Sequence, residues 1–180
     1  MNKTLTILTD LNISKDDEQV RVGLYANIGY FIQMSQMLEY NLRILLCYAK
    51  SLEEIESGEI TTSRVDEIHK KYDDYYLSTY KDRFALGRLK DEVAKLNLFE
   101  PDVIAIFKAI NDYRTQVVHK IFQNNNNSKV FEQSDNVLEY IMKRLVPMAE
   151  SATTANEFVV KCIEAHREDF REYKMLDSRS

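Results

Sequence analysis

Glycine and proline are scarce in this sequence, which contains Gly 4 and Pro 2 among its 180 residues. These two residue types supply most tight turns, so their scarcity argues against a β-rich fold with many turns. The chain has the length of one domain with a substantial core, and 44% hydrophobic residues can fill that core. We therefore predict an all-α protein, an up-and-down helical bundle of about five helices.

Other absences restrict the chemistry. The two cysteines, Cys47 and Cys162, each lie in an apolar helical stretch, so we expect free, buried thiols rather than a disulfide. The sequence has no glycine-rich phosphate loop and no nucleophile elbow, and its histidines lack a second ligand at helical spacing. We expect no metal and no cofactor.

The sequence also lacks an apolar run of membrane-spanning length and a secretory leader, so we expect a cytoplasmic protein that does not bind membranes. The formal net charge is −5, which means that the surface as a whole does not attract nucleic acid. Binding of RNA would require a local basic patch. The candidates for such a patch are Lys108, Lys120, Lys129 and Arg144.

The chain divides into an N-terminal arm or short strand (1–13), one helical domain (14–173) and a polar tail (174–180). Five helical segments are expected within the domain, and Pro147 should kink or split the last of them because proline removes a backbone donor. The expected segments are 14–57, 62–80, 81–96, 101–123 and 134–173.

The segment that begins at Pro101 contains the most chemically suggestive pair of residues. Proline suits the first turn of a helix, and apolar residues recur along one face from Val103 to Ile121. Arg114 falls inside this face, and His119 lies about 140° from it around the helix. Arginine keeps its proton at any physiological pH, whereas histidine titrates near neutrality. One can bind a phosphate while the other transfers a proton, as metal-free RNA cleavage requires.

A structural role for Arg114 is the alternative interpretation. An arginine within an apolar stripe is costly to bury unless it is paired, and the expected partner is Glu39 or Asp112. Glu39 can also form an i, i+4 ion pair with Arg43 on its own helix. Alternatively, Glu39 orients Arg114 or His119, because polar groups on a well-covered helix need partners.

Together with the preceding segment Leu86-Gly87-Arg88-Leu89, this pattern resembles the HEPN superfamily of small helical proteins. Many of these proteins are ribonucleases of toxin–antitoxin, abortive-infection and CRISPR-associated systems. Their motif is an arginine, usually followed by asparagine, with a histidine four to six residues after the arginine near a helix end. Arg114 and His119 match this motif, and Thr115 occupies the asparagine position. The resemblance covers residues 24–170 by helix order. Some family members carry a tyrosine two residues after the histidine, where this chain has Ile121.

The resemblance implies a metal-independent endoribonuclease of a toxin–antitoxin or anti-phage defence system. RNA would be the substrate, and the RNA 2′-hydroxyl would attack the adjacent phosphate. His119 would transfer protons and Arg114 would stabilise phosphate charge. A cognate antitoxin protein would be a partner. Five further residues are candidate supporting or substrate-binding groups: Glu39, Lys108, Asp112, Thr115 and Lys120.

A homodimer is expected because the long helix within 14–57 is apolar on more than one face. The two motif helices would then approach a two-fold axis. The competing function is a non-catalytic HEPN-like bundle that binds a protein or a nucleotide. An open cleft that contains Arg114 and His119 favours the nuclease. Burial of Arg114 against Glu39 or Asp112, with His119 apart, favours the bundle without activity.

Overall fold

Five helices account for most of the chain in a computed structural model that describes residues 17–58, 62–78, 85–119 and 134–177. Helix α1 is Asp17–Glu56, and α2 is Thr62–Asp73 with a π-helical continuation, Asp74–Ser78. Helix α3 is Leu86–Lys95 and α4 is Pro101–His119. Helix α5 consists of Ser134–Tyr140, a π-helical segment Ile141–Leu145, and Val146–Asp177. No strand occurs in these ranges, and the prediction of an all-α helical bundle is confirmed.

Helix α1 is the central element, and α5 runs beside it in the same direction. Tyr30 bonds to Thr153 near the start of this contact, and Tyr48 meets Phe170 near its end. Parallel first and fifth helices are the arrangement that an up-and-down bundle of five requires. Between these contacts, the buried side chain of Asn156 donates hydrogen bonds to the backbone carbonyl of Met34 and to that of Ala152 within α5.

The core lies between α1 and the helices that cover it. Leucines at three- and four-residue spacing give α1 a continuous apolar face, which is the pattern of a helix that packs on several neighbours. A second, smaller cluster joins the end of α1 to α2 and α5. Fully buried side chains of the main core are Phe31, Leu38, Leu42, Leu45, Leu46, Leu86, Leu89, Phe107, Ile110 and Leu145. The smaller cluster consists of Leu52, Ile55, Val65, Ile68 and Phe170.

Pro147 does not split α5, because the preceding turn changes its spacing. In the segment Ile141–Leu145 the hydrogen bonds span five residues, and the N–H of Val146 bonds to the carbonyl of Ile141. Such π-helical insertions re-route the backbone bonds that a proline would otherwise interrupt. The predicted split is therefore absent, and the helix continues from Val146 through Pro147 to Asp177.

Helix ends differ slightly from those expected. Helix α3 starts at Leu86, five residues after the predicted start, and α5 continues to Asp177 rather than ending at Tyr173. The predicted arm at 1–13 lies outside the described residues. Within the described ranges, no helix is long and apolar enough to cross a membrane. Both cysteines are free; Cys47 is buried as expected, whereas Cys162 is only partly buried.

Candidate functional site

Arg114 lies on the side of α4 that faces α1. The buried residues Phe107, Ile110 and Val117 hold this helix against the core, and Arg114 sits at the edge of the face they form. Its Nη1 donates a hydrogen bond to Oε2 of Glu39 across 2.8 Å. One quarter of the Arg114 side chain remains exposed. The arginine is therefore paired and still reachable by solvent.

Glu39 also forms an ion pair with a second arginine, Arg43. Nη2 of Arg43 lies 2.6 Å from Oε1 of Glu39, one turn further along α1. Each oxygen of one carboxylate thus takes one guanidinium. The three side chains, which we call the Arg43–Glu39–Arg114 cluster, carry one net positive charge. Their side-chain exposures are 10%, 18% and 25%, so this charge lies in a partly desolvated place where it acts more strongly than in water.

A pair of tyrosines connects α4 to α5. Tyr113, the neighbour of Arg114 in the chain, packs edge-on against Phe31 and donates a hydrogen bond of 3.0 Å from its hydroxyl to that of Tyr140. Burial and this hydrogen bond raise the pKa of Tyr113, while the positive charge of Arg144 opposes the rise. The Tyr113 phenol therefore stays protonated at neutral pH, and its hydrogen bond connects α4 to the start of α5.

The other candidates on α4 lie apart from Arg114. Lys108, Asp112 and Thr115 are exposed, and the hydroxyl of Thr115 is bonded to the carbonyl of Asn111 within the same helix. Asp112 is therefore not the partner of Arg114; Glu39, the other acid named from the sequence, takes that place. His119 is the last residue of α4, and its side chain, like Lys120 and Lys129, lies outside the described residues. The pairing of Arg114 with His119 stays a prediction.

Only part of the apolar face predicted for α4 is buried. Phe107, Ile110 and Val117 are buried, but Ile106 is 44% exposed and Val118 49%. Ile106 lines a groove of about 550 Å³ between α4 and α5. The face that packs on α1 is therefore narrower than hydrophobicity alone indicated, and Arg114 lies at its margin.

Sequence reasoning missed the tyrosine pair. Tyr113 and Tyr140 come from helices separated by a long connection, and no periodicity within either helix predicts that their hydroxyls meet. The available signal was the position of Tyr113 beside Arg114. By contrast, the spacing of Glu39 and Arg43 did indicate their ion pair.

A second group of reactive side chains surrounds Cys47. Its sulfur lies 3.8 Å from Nδ1 of His69, and the hydroxyl of Ser51 lies 3.3 Å from the same nitrogen. Burial raises the pKa of Cys47 to about 12. The thiol is therefore protonated at neutral pH and is not an activated nucleophile.

The described residues contain no group of three or more His, Cys, Asp or Glu side chains that could hold a metal ion. Comparisons of the chain with protein-family models, with curated proteins and with solved structures find no match. The geometry of the site and the arginine–histidine motif are therefore the indications of function.

Proposed function

We propose that the protein is a metal-independent endoribonuclease of the HEPN type, acting in a toxin–antitoxin or anti-phage defence system. The observation that carries the proposal is the Arg43–Glu39–Arg114 cluster. It fixes the motif arginine, leaves one positive charge in excess and keeps Arg114 one-quarter exposed. A guanidinium held in this way suits a phosphate, because its remaining N–H groups keep a defined direction.

In the proposed reaction the RNA 2′-hydroxyl attacks the adjacent phosphorus atom. A 2′,3′-cyclic phosphate forms, and the bond to the 5′-oxygen of the next nucleotide breaks. Arg114 stabilises the negative charge that grows on the phosphate oxygens. His119 takes the proton of the attacking hydroxyl or delivers one to the leaving oxygen. Glu39 acts as a positioning residue for Arg114.

A homodimer completes this proposal. Four large apolar residues on one side of α1, Val22, Tyr25, Met37 and Tyr40, are between 45% and 62% exposed. We call them the α1 outer face. Arg43 lies about 60° from Tyr40 around α1, so the cluster borders this face. A second copy packed on it would bring two motif helices together, and each copy would supply one of the two proton-transfer groups. A cognate antitoxin protein is the further partner that a toxin requires.

The cleavage experiment uses single-stranded RNA in the presence of EDTA. The unaltered protein should produce fragments that end in a 2′,3′-cyclic phosphate. His119→Ala should reduce the rate about 10²–10⁴-fold, the usual contribution of a general acid or base. Arg114→Gln should reduce it as well, whereas Arg171→Gln, which removes the same charge from an exposed position on α5, serves as the control. Absence of cleavage by the unaltered protein would refute the nuclease.

The second candidate is a non-catalytic bundle that binds a protein or a nucleotide. The observation that favours it is that Glu39 occupies Nη1 of Arg114 and screens the guanidinium charge. In that case the ion pair serves packing alone, and neither Arg114→Gln nor His119→Ala changes anything beyond stability.

A further inference from the structure

The first turns of α5 form a polar pocket. The pocket has a volume of about 340 Å³. Its lining residues are Asn136, Glu139, Tyr140, Lys143 and Arg144.

Three of these residues follow one another at four-residue spacing: Asn136, Tyr140 and Arg144. Side chains four residues apart lie on one side of a helix, one turn above another. The π-helical segment Ile141–Leu145 falls between Tyr140 and Val146 and so includes Arg144. Insertions of this kind weaken regular helix bonding and are frequent at functional sites. The first turns of α5 thus present an amide, a phenol and a guanidinium to one pocket.

The charges in the pocket do not cancel. Lys143 and Glu139 form an i, i+4 ion pair of 2.6 Å. Arg144 is exposed, and among the described residues it enters no ion pair. The pocket therefore has one net positive charge, which is carried by a guanidinium. This is the donor geometry that suits the oxygens of a phosphate.

A hydrogen bond connects the wall of the pocket to α4. The hydroxyls of Tyr113 and Tyr140 are 3.0 Å apart, which joins the pocket wall to the residue that precedes Arg114. Arg144 acts electrostatically on the hydroxyl of Tyr113. The two tyrosines thus connect the pocket to the residue that precedes Arg114 in the sequence.

We propose that Asn136, Tyr140 and Arg144 form a second phosphate subsite, which binds a neighbouring phosphate of the single-stranded RNA whose reacting phosphate lies at Arg114. This inference rests on the proposed function for its substrate. It adds a binding site on a different helix, with Arg144 as the residue that contacts the phosphate. The subsite fixes the direction of the strand across the tyrosine pair and so determines which phosphate reaches Arg114.

The test measures binding rather than cleavage. A fluorescein-labelled 2′-O-methyl oligoribonucleotide cannot supply the attacking hydroxyl, so anisotropy reports equilibrium binding to the intact protein. Arg144→Gln should weaken binding about tenfold, the loss expected for one hydrogen bond between charged groups. The slope of log K against log salt concentration should become shallower by about 0.7, which corresponds to one phosphate contact on a single strand.

Arg171→Gln is the matched control. It removes the same charge from an exposed position on the same helix, about 40 Å from Arg144 along the helix axis. Both variants change the net charge of the protein equally, so only a local phosphate contact distinguishes them. Equal losses of affinity, equal salt slopes, or no binding of the oligonucleotide by the unaltered protein would each overturn the subsite.

Two further arms identify the source of the phosphate and separate this inference from the proposed function. Inorganic phosphate and AMP are titrated in the same assay. If they bind in an Arg144-dependent manner while the oligonucleotide does not, the site takes free phosphate and the RNA subsite is wrong. Arg144-dependent binding of the oligonucleotide without cleavage of RNA supports the subsite and refutes the nuclease. If the unaltered protein cleaves RNA, and Arg144→Gln changes neither cleavage nor binding, the nuclease is supported and the subsite is wrong.

Discussion

Glu39 is the residue on which the site depends, because its two oxygens each hold an arginine. Removing an arginine leaves the carboxylate with one partner, whereas removing the carboxylate takes the ion pair from both Arg43 and Arg114. The cost of an unpaired buried charge exceeds the gain from forming the pair. The three residues should therefore respond unequally to neutral substitutions.

We predict that Glu39→Gln lowers the free energy of unfolding by about 1–3 kcal/mol, the penalty of leaving a desolvated polar group unsatisfied. Arg114→Gln should cost less than about 1 kcal/mol, since Glu39 retains Arg43 and the pair is partly exposed. Urea denaturation at neutral pH, with the slope of each transition compared, measures both values. Equal destabilisation by the two variants would show that the carboxylate is not shared.

The sequence could predict part of this arrangement. Helical spacing gave the Glu39–Arg43 pair, and the cost of burying Arg114 pointed to an acid on another helix. Spacing could not choose between Glu39 and Asp112, because that choice depends on how far α4 is rotated against α1. The meeting of Tyr113 with Tyr140 depends on the same rotation and on the position of α5.

At the scale of elements, α2 is attached to the bundle through an aromatic contact. The ring of His69 lies between Tyr48 of α1 and Phe170 of α5, with ring centres 4.9 Å and 4.5 Å away. Burial lowers the pKa of His69, and the negative charge of Asp73 only partly offsets this effect. Lys174 on α5 also lowers it. The neutral ring is therefore the form that fits between the other two.

The attachment of α2 should weaken in mild acid. The ordinary pKa of histidine is 6.5, and its value in the folded protein lies below this, so the unfolded chain binds the proton more readily. The contribution of His69 to stability is complete above about pH 6.5 and is lost as the pH falls from there towards the folded value. Melting temperatures between pH 8 and pH 5 should fall for the unaltered protein, with a smaller fall for His69→Gln.

His166→Gln is the control for this titration, because it removes another histidine whose ring bonds to the carbonyl of Cys162 within α5. This variant should keep the full pH dependence. If His69→Gln and the unaltered protein lose stability in parallel between pH 7 and pH 5, carboxylates account for the effect and His69 does not.

The order and the type of the helices were the most predictable part of the fold. They depend on hydrophobic periodicity and on helix-starting and helix-breaking residues, which act locally. Pro101 begins α4 as expected, and an irregular turn lies just before Pro147 in α5. The sequence could not show that a π-helical segment before Pro147 would accommodate the proline in the helix. That outcome depends on the packing of Ile141 and Leu145, which are both buried on either side of the wider turn.

At the scale of the whole molecule, the surplus apolar surface predicted for α1 is present as the α1 outer face. The core covers one side of the helix, while Val22, Tyr25, Met37 and Tyr40 remain exposed on the other. Gly29 lies among them and is itself exposed, and a Cβ atom added there would meet no other atom within 4 Å. A side chain at this position is compatible with one copy of the protein, but not with a second copy packed closely against the helix.

This difference allows the homodimer to be tested without damage to the fold. We predict that Gly29→Lys dissociates the dimer and leaves the subunit at least as stable, because replacing glycine inside a helix gains about 0.5–1 kcal/mol. Sedimentation velocity at micromolar concentration should give a dimer for the unaltered protein and a monomer for the variant. Ala165→Lys, which adds the same charge at an exposed position of α5, should leave the dimer intact. If the proton-transfer groups of the two subunits act together, the Gly29→Lys monomer should also lose RNA cleavage while remaining folded. A monomeric unaltered protein, or a Gly29→Lys variant that stays dimeric, would mean that the α1 outer face does not join two copies.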